Sequence, residues 1–196
     1  MKKKYLIYVC IIIMIPIFLL FYEKSEGTPP VLTVDGTELT LGISSPDDLR
    51  SQEFEFSLPN EIRIYNKMPA NSWSYEFLPV TKNDELYAHF YVYNPTPEDV
   101  YCTSATIYKI EFGMYSEEED YWAQNNILVN GINFYGMNMD EVKAAMQAYK
   151  KPKETSYGDL AYKDGKYSYY IYFNDNGLVE EVSVEMTFSK SYNEVS

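Results

Sequence analysis

Cysteine, histidine and arginine are scarce in this 196-residue chain, and each scarcity excludes something. The two cysteines are Cys10 and Cys102, and Cys10 sits in an apolar N-terminal run. No internal disulfide is expected, so stability must come from a packed core. Cys102 reads as a small apolar core residue. His89 is the sole histidine, and Cys102 has no ligand partner near it in sequence, so no zinc site is expected. No glycine-rich phosphate loop and no Gly-x-Ser-x-Gly elbow occur. The run 174–177 (Asn-Asp-Asn-Gly) lacks the spaced acids and closing glutamate of a calcium loop and reads as a turn. Basic charge is also short. Sixteen Lys and Arg face 29 Asp and Glu, a net of -13. The first 22 residues hold three lysines and no acid, which leaves 13 basic against 29 acidic residues beyond them, a net of −16. Such a surface repels phosphate backbones and excludes nucleic acid as a partner. Its simplest role is to keep the domain soluble. No cofactor is expected.

What the chain does have is tyrosine: 21 residues, within an aromatic content of 17% and a hydrophobic content of 46%. That content excludes a disordered protein. Tyrosine packs its ring and leaves a hydroxyl for water or a partner, which suits half-buried strands and contact surfaces. Arg50 and Arg63 are the only arginines. With the many Tyr, Asn and Ile, that bias points to an AT-rich bacterial genome.

Lys2, Lys3 and Lys4 precede an uncharged apolar run from Tyr5 to Tyr22. Its length is near the lower limit of roughly 17 residues for a spanning helix and above the usual 7–15 or so of a signal-peptide core. No small-x-small cleavage site follows. Residues 1–22 are therefore expected to be a signal anchor, with a cleaved signal peptide as the rival. The flanking charges place the N-terminus in the cytoplasm and the remainder outside a single-pass membrane protein. Residues 23–30 read as a linker.

The first unit is expected over 31–115. Val31 to Val34, Asp35-Gly36 and Thr37 to Leu41 give a hairpin, because Asp-Gly supplies the positive φ angles of a tight turn. Ser45-Pro46-Asp47-Asp48 opens a short helix. Strands are predicted at 53–56, 62–65, 73–77, 86–93 and 106–112. Ser116-Glu-Glu-Glu119 fits a capping box and predicts an acidic connecting helix over 116–126.

The second unit, 127–190, is cleaner. Asn130-Gly131 turns a second hairpin. Asn138 caps a helix whose apolar stripe is Val142, Ala145, Met146 and Tyr149, ended by Pro152. Strands follow at 157–162, 167–173 and 178–188. In the last, Val182, Val184, Met186 and Phe188 alternate with Glu181, Ser183, Glu185 and Thr187, a one-sided pattern. The two units align in outline: Val34-Asp35-Gly36 with Val129-Asn130-Gly131, Gly42 with Gly136, Ser45 and Leu49 with Asn138 and Val142, and 90–94 with 170–174. The expected fold class is α+β, an N-terminal transmembrane helix followed by two helix-on-antiparallel-sheet repeats.

Gly136, Asn138, Glu141, Val142, Pro152, Phe173, Gly177 and Val179 together resemble the β-lactamase-inhibitor-protein-like fold, shared with small outer-membrane assembly lipoprotein domains. The chain departs from that pattern at Leu160-Ala161-Tyr162, where a tryptophan often stands, and in lacking a lipidated cysteine. The resemblance implies binding of partners on a concave sheet face.

The candidate binding residues are Tyr87, His89, Tyr91 and Tyr93 from one strand, with Tyr170 and Tyr172 from another. Tyrosine gives contact area at low entropic cost; the same residues equally suit cross-strand aromatic pairing. No catalytic and no metal residues are assigned. The expected function is a membrane-anchored extracytoplasmic interaction module without catalysis, partnered by the membrane and another envelope protein. The alternatives are a cell-envelope enzyme using carboxylates such as Asp159 or Glu181, and a purely structural envelope protein.

Overall fold

The computed structural model describes residues 26–56, 67–113, 127–149, 152–188 and 192–195. The expected anchor at 1–22, the strand at 62–65 and the acidic helix at 116–126 lie outside the described residues.

The Asp35-Gly36 hairpin forms as read: β1 (Val31–Val34) pairs with β2 (Thr37–Thr40). Asp35 and Gly36 hold φ of 47° and 80°, and Asn130 and Gly131 hold 51° and 78°, so both turns share one backbone shape. The second turn does not close a two-stranded hairpin. After it, only Ile132 bridges back to Val129. The strand before the turn, β10 (Leu128–Val129), pairs instead with the free edge of β1, Leu32 opposite Val129. This makes a three-stranded layer, β10-β1-β2.

The other layer is a ten-stranded sheet. Its first-unit strands are β3 (Glu55–Phe56), β5 (Ser72–Ser74), β6 (Leu78–Lys82), β7 (Glu85–Asn94) and β9 (Thr106–Phe112). From beyond residue 127 it takes β11 (Lys153–Glu154), β12 (Leu160–Asp164), β13 (Tyr167–Phe173), β14 (Val179–Met186) and β15 (Asn193–Val195), the last lying past the second unit's expected limit at 190. A separate ribbon pairs β4 (Lys67–Met68) with β8 (Val100–Tyr101). The order of the large sheet is β11-β12-β13-β14-β9-β7-β5-β15, with β6 sharing the edge of β7 and carrying β3. All pairings are antiparallel except β5 with β15. Outward from the β14–β9 seam the order is β14-β13-β12 on one side and β9-β7-β6 on the other.

One apolar cluster lies between the layers. Ala88, Phe90, Ile110, Phe112, Leu160, Ile171, Val182 and Val184 supply the sheet side. Leu32, Val34, Leu39, Val129, Phe134, Val142 and Met146 cover it.

Two expectations are corrected. First, the chain is not α+β. Among the described residues, helical structure amounts to a 3-10 segment at Pro46–Gln52, a 3-10 turn at Cys102–Ser104 and α1 (Met139–Ala145). The local signals for α1 were sound. Asn138 Oδ1 accepts from the N–H of Asp140 and Glu141, and Glu141 Oε2 accepts from the N–H of Asn138. Val142 and Met146 are buried. But α1 stops after seven residues, with Met146 as its C-cap, and shields only part of a sheet that the β10-β1-β2 layer also covers. The fold is mainly antiparallel β. Second, among the described residues no helix is long and apolar enough to cross a membrane. The expected transmembrane helix, the membrane as partner and the single-pass location lose their support, and they are withdrawn.

Candidate functional site

Strand register builds the sheet face opposite the core. Across it, His89 lies opposite Glu111, Glu111 opposite Ser183, Ser183 opposite Tyr170, and Tyr170 opposite Ala161. The next row runs Tyr91, Lys109, Glu185, Ser168, Lys163. Tyr172 faces Glu181 in a third. The structure thus brings His89, Tyr91, Tyr170 and Tyr172 onto one face. Between them β9 and β14 insert a polar lane: Lys109, Glu111, Glu181, Ser183 and Glu185. The alternation in 178–188 had marked the polar side of β14. Its neighbour β9 was not foreseeable, because that pairing joins strands about seventy residues apart.

Tyr91 donates its hydroxyl hydrogen to Glu111 Oε2 at 2.6 Å. Lys109 Nζ sits 2.5 Å from Glu111 Oε1 and 4.5 Å from the centroid of the Tyr91 ring. Tyr170 donates to Glu185 Oε1 at 3.1 Å. Burial raises the phenol pKa of Tyr170, and the Glu185 charge adds to it. Tyr172 is raised by burial, then by Glu181, Glu111 and Asp159. Glu181 is raised by burial and by repulsion from Glu111, with Lys109 opposing. Neither Glu181 nor Glu185 forms an ion pair among the described residues.

His89 is 8% exposed and stacks on Phe77, centroids 3.8 Å apart. Burial lowers its pKa to about 4, partly opposed by Glu111, so the imidazole is neutral at pH 7. From here a chain of ring contacts runs along β7. Phe77 meets Tyr91, Tyr91 meets Tyr108, Tyr108 meets Phe188, and Phe188 meets Tyr192. Tyr93 belongs to this cluster, 4.9 Å from Phe188 and 5.5 Å from Tyr192, and is buried. Tyr87 lies apart. The register of β6 with β7 slips there, Val80 lying opposite Ala88 and Thr81 opposite Leu86. Such a bulge re-aims the side chain. The Tyr87 ring meets Phe54 edge-on at 5.0 Å, within reach of the charges of Lys82 and Asp35 at the β1–β2 hairpin. Tyr170 and Tyr172 make no ring contact among the described residues, and Tyr172 is 36% exposed.

Asp159 is occupied with local structure: its Oδ1 accepts from the N–H of Phe173 and its Oδ2 from the hydroxyl of Thr155. Cys102 is buried, and burial pushes its thiol up to about 11. Among the described residues no group of three His, Cys, Asp or Glu side chains could hold a metal ion. A cleft of about 400 Å³, lined by Thr28, Asn130, Ala148, Tyr149, Lys163 and Asp164, lies beside the Asn130 turn and meets the edge of the tyrosine face at Lys163.

No family model matches this chain. No curated protein matches it either. Among solved structures the chain is similar to the crystal structure of a DUF4309 family protein (YjgB) from Bacillus subtilis subsp. subtilis str. 168. Identity is 12%, with 76% of this chain and 82% of that chain covered and a TM-score of 0.38. The β-lactamase-inhibitor-protein-like fold is not shown by these comparisons.

Proposed function

We propose that this chain is a non-catalytic interaction module that holds a protein partner on the sheet face formed by β7, β9, β14 and β13. The observation that supports it most is the contrast among the tyrosines of that face. Tyr93 is consumed by the aromatic cluster, whereas Tyr170 and Tyr172 stand on β13 without ring partners among the described residues, one of them exposed. Cross-strand aromatic pairing accounts for the first but not for the other two. A β-lactamase-inhibitor-protein-like arrangement is proposed with it. Its support is that three strands on each side run outward from the seam, β14-β13-β12 and β9-β7-β6. An enzyme using Asp159 or Glu181 is the second reading, favoured by the raised pKa of Glu181 in a polar lane.

Photo-crosslinking from the Lys163 position, exposed on the same face, should capture a partner that Tyr170→Ser with Tyr172→Ser no longer retains, with circular dichroism unchanged. Retention of the partner by the double variant would remove this face from the binding surface. A hydrolytic activity abolished by Glu181→Gln would establish the enzyme instead.

A further inference from the structure

Resting on that reading, we propose that the β14–β13 half of the face receives an extended, lysine- or arginine-bearing segment of the partner protein, with its cations seated on Glu185 with Tyr170 and on Glu181 with Tyr172.

The chain supplies its own example of such a seat. In the β7–β9 half, Tyr91 donates to the diagonal glutamate Glu111 at 2.6 Å. Lys109, directly opposite Tyr91, fills the pair: its ammonium is 2.5 Å from the carboxylate and 4.5 Å from the ring centroid. An ammonium held by a carboxylate over an aromatic face gains from both. In the β13–β14 half, Tyr170 donates to the diagonal glutamate Glu185 at 3.1 Å. The residue directly opposite Tyr170 is Ser183, not a lysine. The tyrosine–glutamate pair is repeated and its cation is not. Two residues further along β13, Tyr172 has Glu181 directly opposite, and Glu181 also lacks an ion pair among the described residues.

Charge decides the sign of the occupant. Burial, then Glu111 and Glu180, disfavour the ionised Glu181 against the opposing charge of Lys109, so an incoming cation relieves repulsion while an anion adds to it. Spacing decides its shape. Glu181 and Glu185 are four residues apart on one strand face, about 13 Å at roughly 3.3 Å per residue. A single small cation does not bridge that distance. An extended segment with cations four residues apart presents them on one side at the same spacing.

The test is fluorescence anisotropy of the full chain with a fluorescein-labelled Thr-Lys-Thr-Val-Thr-Lys-Thr peptide, against the same peptide with both lysines replaced by glutamate. Binding to the lysine peptide alone is expected, weakened at least tenfold by Glu181→Gln with Glu185→Gln. The charge-matched control, Glu98→Gln with Asp175→Asn on exposed loops, should stay within twofold of wild type. Equal weakening by both doubles would show bulk charge attraction only and overturn the proposal, as would equal binding of the glutamate peptide. The two readings separate on the crosslinked partner. Capture lost in the Tyr170 and Tyr172 variant but kept in the Glu181 and Glu185 variant overturns the cationic segment and leaves the face standing. Capture kept in both overturns the face itself.

Discussion

His89 and Glu181 share one sheet face and titrate against stability in opposite senses. Burial depresses the histidine from 6.5 to about 4, so the unfolded chain takes up its proton first as pH falls. Its contribution to stability is therefore complete above pH 6.5 and is lost towards pH 4, a loss of at most roughly 3 kcal/mol at about 1.4 kcal/mol per pH unit. Glu181 is raised above its ordinary 4.5, by burial first and Glu111 next. The folded chain holds that proton to higher pH, so stability is greatest below pH 4.5 and falls as pH rises through the raised value. His89→Gln should flatten the decline in Tm between pH 6.5 and pH 4. Glu181→Gln should raise Tm by a few degrees at pH 7 and leave it unchanged near pH 4. Thermal melts at half-unit pH steps check both. An unchanged Tm for Glu181→Gln at pH 7 would mean that the carboxylate is not strained in the lane.

Turns and caps carry the part of the fold that was readable in order along the chain. Asp35-Gly36, Asn130-Gly131 and the Asn138 cap act through neighbouring backbone, so their residues announce them. The limits of β13, Tyr167–Phe173, agree with the strand expected at 167–173. What the second turn leads to is set elsewhere. Phe134 enters the core, and β10 takes the edge of β1 a hundred residues back. The stretch at 26–28 shows the same limit. It looked like a tether, yet it is strapped onto the β12–β13 turn. Lys166 N–H donates to Glu26 O at 3.1 Å, Thr28 N–H to Asp164 Oδ2 at 2.9 Å, and Lys166 Nζ pairs with Glu26 Oε2 at 2.9 Å. The close approach requires glycine on both sides. A Cβ on Gly165 would lie 2.2 Å from Glu26 C, and one on Gly27 would lie 2.1 Å from Asp164 O, each at positive φ. Gly165→Ala should cost about 2 kcal/mol or more, seen as a lower denaturation midpoint with an unchanged m-value. Gly131→Ala is the comparison, because no atom lies within 4 Å of its added Cβ and only the left-handed φ of 78° opposes it. Equal losses would show that φ alone, not the strap, sets the cost.

At the scale of the whole molecule the decisive contact is the seam, Val182 opposite Phe112, Ser183 opposite Glu111, Val184 opposite Ile110 and Glu185 opposite Lys109. It makes one face out of strands that the sequence shows only as two alternating patterns, and it sets Glu111 near Glu181. Of the six candidate residues, His89, Tyr91, Tyr170 and Tyr172 follow from alternation, because a regular strand keeps its sides. Tyr87 leaves the set at a bulge that no local residue preference announces, and Tyr93 is enclosed by Phe188 and Tyr192 from the far end of the chain. The seam also ties stability together. Ile110, Val182 and Val184 are 0% exposed and belong to the same core cluster as residues of both units. Neither side of the seam buries its apolar face without the other. Unfolding should therefore be a single transition, with tryptophan fluorescence and far-UV circular dichroism coincident in denaturant. Val184→Ala, which removes buried volume opposite Ile110, should shift both probes together by roughly 1–2 kcal/mol. Separation of the two probes, in wild type or in this variant, would show that the units fold independently and that the lane between Tyr91 and Tyr170 is only as rigid as their docking.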